Sequence, residues 1–223
     1  MTVESSTPKS WPLVGTASVA DVLEKHGIDG VMLAGAAGFG SFVGPAVTVG
    51  ITVAEQDQDH QGEPADPTQL WRMLDTAPSG SVLVIGTYAQ PLTVIGGVTA
   101  ATAIGRGLSG IVTDGGIRDT DEIRDYGLPV RHTFSDPRPL RNRDRLRIKE
   151  GPVRFGDVEV APGDIVVGDG DGVVCVPRHL ADQVFADAVT IEGQERLWAT
   201  TSRVLGSIAH GYDTVSKVHG APH

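Results

Sequence analysis

The chain is poor in cysteine, in aromatic residues and in basic residues, and it has no long apolar run. Its single cysteine, Cys175, excludes a disulfide scaffold and a cysteine-based zinc cage. Aromatic residues make up only 5%, so the core must come from Val, Ile, Leu and Ala, with no aromatic platform for stacking nucleic-acid bases. Lys and Arg number 18 against 28 Asp and Glu, a net charge of −10, which argues against a general nucleic-acid partner. No apolar stretch reaches the ~18 residues of a membrane-spanning helix, so no membrane partner is expected. Residues 1–10 lack the apolar centre of a secretory signal, and a cytoplasmic location is the default expectation.

Glycine (29) and proline (14) are plentiful, and hydrophobic residues make up 40% of the 223 positions. This is the composition of one turn-rich globular domain. Residues 1–15 carry no periodic pattern and read as an arm. Ser18-Val-Ala-Asp21 resembles a capping box opening a helix to about His26. Gly30 to Gly44 reads as a Gly/Ala-rich loop, Val47–Val53 as a strand and the polar stretch 55–67 as a mobile loop. A short helix is expected at 68–76, a strand at 82–85, an Ala-rich helix at 96–106 and a buried strand at 110–113. A second short helix at 119–126 and a strand at 128–133 follow. From Phe155 the pattern turns to β-hairpins, with strands at 165–167 and 173–176, and a closing helix runs from Pro177 to about Trp198. Alternating β and α elements followed by hairpins predict an α/β domain with a mixed sheet.

Several motifs dissolve on inspection. Gly105-Arg-Gly107-Leu-Ser-Gly110 matches a dinucleotide string, but it ends a helix and enters a strand, the reverse of what a pyrophosphate site needs. Asp169-Gly-Asp171-Gly172 lacks the glycine and glutamate of a calcium-binding EF-hand loop and reads as a tight acidic turn. The seven histidines show no metal-ligand spacing, and no G-x-S-x-G nucleophile elbow is present. Cys175, in a Val-rich strand, reads as core packing. Six of the fourteen arginines fall between 131 and 147, a segment of net +4. It reads as a solvated loop or subunit contact, or as a site of carboxylate capture, with RNA contact the weaker alternative.

Asp114-Gly-Gly-Ile-Arg118-Asp119 carries more chemistry. It follows a buried strand, and its two glycines would let the chain turn sharply. Arg118 and Asp119 then stand at the carboxyl edge of a sheet, where open α/β sheets place ligands. Asp119 could hold a hard divalent cation with waters, and Arg118 could clamp a carboxylate or keto oxygen. The plainer alternative is that Asp119 caps the next helix with Glu122 completing the box.

The order and spacing of larger blocks carry a resemblance. Gly96-Gly97 leads an Ala-rich helix. GRGLSGIVTDGGIRD (105–119), GLPV (127–130) and VAPGDIVVGDGDGVVCVP (160–177) follow. Together they resemble the RraA-like family, which includes the divalent-metal-dependent (class II) pyruvate aldolases of the 4-hydroxy-4-methyl-2-oxoglutarate/4-carboxy-4-hydroxy-2-oxoadipate type. The resemblance covers roughly residues 16–200, leaving 201–223 as a tail. It implies a single-domain α/β sandwich with a mixed sheet, assembled as a trimer or hexamer with active sites between subunits.

The resemblance further implies that Asp119 is the direct ligand of Mg²⁺ or Mn²⁺ and that Arg118 binds the pyruvoyl oxygens and stabilises an enolate. Backbone N–H groups of Gly96, Gly97, Val98 and Thr99 would receive the carboxylate of a small 2-oxo acid. Glu195 matches an acid of the last helix that reaches the metal waters of the neighbouring subunit. The implied reaction is retro-aldol cleavage of a 4-hydroxy-2-oxo acid to pyruvate, a metal-activated water taking the 4-hydroxyl proton, with oxaloacetate decarboxylation as a side activity. The chain departs from the aldolases at Gly97, where they tend to carry an acid, at Val98-Thr99 in place of Leu-Leu, and at His132 to Asp136. Two alternatives follow: a specialised lyase or hydrolase reusing the metal site, or a non-catalytic protein like the regulator of ribonuclease activity. The methyltransferase label that such sequences often carry finds no Gly-rich strand-to-helix cofactor loop here.

Overall fold

The computed structural model describes residues 11–53, 66, 68–140 and 146–219. The first half of the chain contains α1 (Thr16–Lys25), β1 (Val31–Ala34), β2 (Ala37–Phe39), β3 (Phe42–Val53) and α2 (Thr68–Thr76). Next come β4 (Val82–Gly86), β5 (Thr93–Ile95), α3 (Gly97–Gly105), β6 (Gly110–Thr113), β7 (Gly116–Ile117), α4 (Thr120–Asp125), β8 (Val130–His132) and β9 (Phe134–Ser135). The remainder holds β10 (Leu146–Glu150), β11 (Val153–Phe155), β12 (Val158–Val160), β13 (Ile165–Gly168), β14 (Gly172–Val176), α5 (Ala181–Leu205) and α6 (Ile208–His219).

Among the described residues nine strands form one mixed sheet in the order β1-β14-β13-β3-β4-β6-β8-β2, with β10 also paired to β3. The centre, β3-β4-β6-β8, is parallel, and the hairpin strands β13 and β14 extend it antiparallel. A smaller parallel sheet, β5-β7-β9, stands beside it.

Strand β4 is buried at every position, and its two-residue period divides its side chains between two cores. Leu83 and Ile85 pack with Ile111, Ile117 and the apolar faces of α2, α3 and α4, which supply Leu70, Leu74, Ala100, Ala103 and Ile123. Val82 and Val84 point the other way, to Phe42, Val112 and the β11–β12 hairpin residues Val153, Phe155 and Val160. The β13–β14 hairpin divides similarly. Ile165, Val167, Val174 and Val176 face α1 and α5, while Val166, Val173 and Cys175 join the second core. Cys175 is therefore core, as its Val-rich surroundings predict. Burial, with Asp164 nearby, pushes its thiol up to about 12.

Alternating β and α elements and a mixed sheet appear as expected, and α2, α3, β4 and β6 lie where the pattern places them. The Gly/Ala-rich stretch 30–44, expected as a loop, instead contributes β1, β2 and the start of β3. Gly38 there serves close approach rather than flexibility: a Cβ would lie 1.9 Å from the Val130 carbonyl oxygen, where β2 pairs with β8. Helix α1 begins at Thr16, two residues before the expected cap, and Gly15 offers no side-chain cap. Asp169, 153 positions away, takes that role by accepting from Thr16 N (2.8 Å) and Thr16 Oγ1 (2.7 Å). Helix α5 runs seven residues past Trp198 to Leu205, and α6 folds back along it. The expected mobile loop lies outside the described residues apart from Asp66, as do residues 1–10 of the arm. Trp11 at the arm's end packs on Phe185 at 5.1 Å between ring centroids.

Candidate active site

Two short parallel strands build the site. β5 and β7 pair in parallel register, Thr93 with Gly116 and Ile95 with Ile117, and each runs directly into a helix. β5 leads through Gly96 into α3, and β7 leads through Arg118 and Asp119 into α4. The Arg118 N–H donates to the Ile95 carbonyl at 2.9 Å, which fixes the two exits side by side. The strand that delivers Arg118 and Asp119 is thus β7, not the buried strand at 110–113. The glycines between them act through space rather than by turning. A Cβ at Gly115 would lie 2.7 Å from the Leu92 carbonyl oxygen, and one at Gly116 would lie 2.2 Å from the Phe134 ring. Asp114 accepts from the N–H groups of Thr87 and Ala89 and so anchors the turn that leads to β5.

Asp119 occupies the N-terminal boundary of α4 but does not cap it. Its backbone is left-handed (φ 57°, ψ 38°) and its side chain makes no capping bond. Aspartate tolerates this region better than most residues, though it remains unfavourable and clusters at functional sites. The consequence is that the carboxylate turns back to α3, where Oδ2 accepts from Gly97 N–H at 2.9 Å. The capping-box alternative is therefore overturned. Glu122 likewise does not reach back to the helix start; its Oε1 accepts from the Tyr126 hydroxyl one turn on. That carboxylate raises the phenol above its usual range, so Tyr126 stays a donor.

Arg118 Nε lies 3.5 Å from Asp119 Oδ2, and both side chains are 41% exposed. The terminal nitrogens of Arg118 and Oδ1 of Asp119 have no partner among the described residues. Gly96 brings the two strand exits this close: a Cβ there would stand 3.0 Å from both Arg118 Nε and Asp119 Oδ2. The first-turn N–H groups of Val98 and Thr99 precede the reach of intrahelical bonding and face the same opening. An anion is favoured at that helix end. Gly96, Gly97, Val98, Thr99, Arg118 and Asp119 all line one cleft of about 570 Å³.

The rest of the cleft wall is largely apolar and comes from distant segments, Trp71 and Leu74 of α2 and Leu146 and Ile148 of β10 among them, with the carboxylate of Asp75 on α2 also lining it. Sequence reasoning missed this wall, since its members share no local pattern. Glu195 does not line the cleft. It lies half-buried on α5, which packs with α1 over the β13–β14 hairpin. Among the described residues no three His, Cys, Asp or Glu gather as a metal cage. A divalent cation at Asp119 would be held by one carboxylate oxygen and waters, a donor set that suits Mg²⁺.

The arginine-rich segment separates into pieces. Arg131 is buried and donates to the carbonyls of Asp169, Gly40 (2.6 Å) and Val130 (3.0 Å). It ties the β13–β14 turn to the sheet edge rather than meeting a ligand. Arg138 pairs with Asp136, and Arg141, Arg143 and Arg145 lie outside the described residues.

A family model described as RraA-like, Aldolase/RraA, matches residues 16–175. The chain belongs to the RraA-like family. Its curated relatives include protein DlpA of Legionella pneumophila, 28% identical over 200 residues, which covers 88% of this chain and 30% of DlpA. The chain thus spans less than a third of that longer relative. A 4-hydroxy-4-methyl-2-oxoglutarate aldolase of Thermus thermophilus is 27% identical over 114 residues, covering 51% of this chain and 69% of that enzyme. Among solved structures, Streptomyces coelicolor RraAS2, described as an unusual member of the RNase ES inhibitor RraA protein family, superposes with a TM-score of 0.69. It is 30% identical, over 82% of this chain and 90% of RraAS2. The RraA-like α/β fold expected from the sequence is therefore the fold observed. No helix among the described residues is long and apolar enough to cross a membrane.

Proposed function

We propose that this RraA-like chain is a carbon–carbon lyase that cleaves a 4-hydroxy-2-oxo acid to pyruvate and a carbonyl product. One observation carries the reading: the left-handed Asp119 carboxylate, tied to Gly97 N–H, stands beside the open guanidinium of Arg118 at the N-terminus of α3. The aldolase name of the Thermus relative supports it.

The substrate carboxylate is received by the N–H groups of Val98 and Thr99, where the end of α3 favours negative charge. Arg118 donates to the 2-oxo oxygen. As the C3–C4 bond breaks, charge develops on that oxygen, and a guanidinium already in place stabilises it without reorganisation. Asp119 is the residue that would hold Mg²⁺ or Mn²⁺. The ion, when bound, supplies Lewis-acid polarisation of the oxo acid. The apolar wall from α2 and β10 excludes water around the developing enolate. Loss of CO₂ from oxaloacetate gives the same enolate, so decarboxylation belongs to the proposal as a side activity. A homo-oligomer, trimer or hexamer, in which Glu195 of a neighbouring copy approaches the cleft completes it.

The test is coupled detection of pyruvate across a panel of 4-hydroxy-2-oxo acids and oxaloacetate. EDTA should abolish release, Mg²⁺ or Mn²⁺ should restore it, and Asp119→Ala should lower the rate by about 100-fold or more. Pyruvate release indifferent to both EDTA and Asp119→Ala would overturn the reading.

A further inference from the structure

Gly97 is shaped around Glu122. A Cβ at position 97 would lie 2.3 Å from Glu122 Oε2, 2.7 Å from Cδ and 3.0 Å from Oε1. The carboxylate therefore lies against the Cα of Gly97, and no larger residue fits while it is there. Glu122 stands in the first turn of α4, and its carboxylate and that of Asp119 both reach Gly97 of α3. The Tyr126 hydroxyl holds Oε1. Oε2 accepts no hydrogen bond from the described residues. No cation pairs with Glu122 among them: Arg124 pairs with Asp121, and Arg118 lies on Asp119. Gly97 lines the cleft, and Glu122, although not itself a lining residue, holds an oriented and otherwise unused carboxylate oxygen against it.

We propose that Glu122 is the proton acceptor of the cleft and that Gly97 is glycine in order to admit it. The proposal rests on the lyase reading above. Oε2 takes the proton of the substrate 4-hydroxyl, directly or through one water. The O–H electron pair becomes the C4=O π bond, the C3–C4 bond breaks, and its electron pair becomes the enolate held at Arg118. The proton on Glu122 is then returned to C3, giving pyruvate.

The experiment compares wild type, Glu122→Gln, Glu122→Ala, Gly97→Asp/Glu122→Ala and Asp119→Ala. Pyruvate release is measured with saturating Mn²⁺ on the most active 4-hydroxy-2-oxo acid, and Mn²⁺ affinity is measured separately by electron paramagnetic resonance. Glu122→Gln should lower kcat about 100-fold, with KM and the Mn²⁺ Kd each within about threefold of wild type. Moving the acid to position 97 in the double variant should recover at least about tenfold over Glu122→Ala, which a merely structural role for Glu122 would not allow. The proposal is overturned if Glu122→Gln keeps kcat within about threefold. It is equally overturned if Mn²⁺ affinity falls in proportion to kcat or if the double variant is no better than Glu122→Ala. Asp119→Ala inactive with Glu122→Gln active overturns this proposal alone. A wild type that releases no pyruvate, or an Asp119→Ala variant as active as wild type, overturns the lyase reading and this proposal with it.

Discussion

Asp119 concentrates the local physics of the site. A left-handed backbone costs an L-residue roughly 1–2 kcal/mol, and here it turns the carboxylate from its own helix to the N-terminus of another. Asp119→Asn keeps a side chain that tolerates this conformation and an oxygen for Gly97 N–H, while it removes the charge. The variant is expected to unfold in urea within about 1 kcal/mol of wild type, with pyruvate release lowered about 100-fold or more. Loss of stability and activity together would assign the charge to the fold rather than to the reaction. Gly96, Gly97, Gly115 and Gly116 belong to the same scale. Each leaves out a Cβ that would collide with a neighbour brought in by the fold.

At the scale of elements, the pairing of β5 with β7 matters most, because it sets two helix N-termini side by side. β8 carries a measurable consequence of burial. His132 is 3% exposed, and its Nδ1 lies 2.9 Å from the Phe134 carbonyl oxygen. Burial, followed by the charge of Arg131, holds it below its ordinary value of 6.5 despite that bond. Below 6.5 the unfolded chain takes up a proton that the folded chain still refuses, so stability falls with pH until the folded value is reached. His132→Asn keeps a donor for Phe134 and removes the titration. Between about pH 7.5 and about pH 5.5, wild type is expected to lose more stability than the variant, read from urea midpoints. Equal losses would show that His132 does not contribute.

At the scale of the whole molecule, the −10 of the chain is echoed in the cleft, where Arg118 stands with Asp119 and Asp75, so an anion depends on one guanidinium and the open N–H groups of α3 at short range. Glu195, which does not line the cleft of its own chain, gives the proposed assembly a direct test. Asp119→Ala and Glu195→Ala are each expected to be inactive alone. Subunits mixed after unfolding and refolding together should regain up to about a quarter of wild-type activity if each site draws on two copies. No recovery, with both variants folded and assembled, would refute a shared site.

Elements whose causes are local were legible in the residues alone. The nine residues of α2, the Ala-rich α3 and the Val/Ile strands of the central sheet follow from periodicity and turn residues over a few positions. The family blocks also marked Arg118, Asp119 and Gly96–Thr99 as one site, and the fold lines a single cleft with them. Tertiary structure decided what depends on groups far apart in the chain. Glycine at 38, 115 and 116 reads as flexibility in sequence, but each position is set by an atom of another segment. Asp169 caps a helix 153 positions away, which no local pattern encodes. The apolar cleft wall, and Glu122 standing against Gly97, exist only once α2, α3, α4 and β10 are packed, because sequence specifies side chains while packing alone specifies the distances between them.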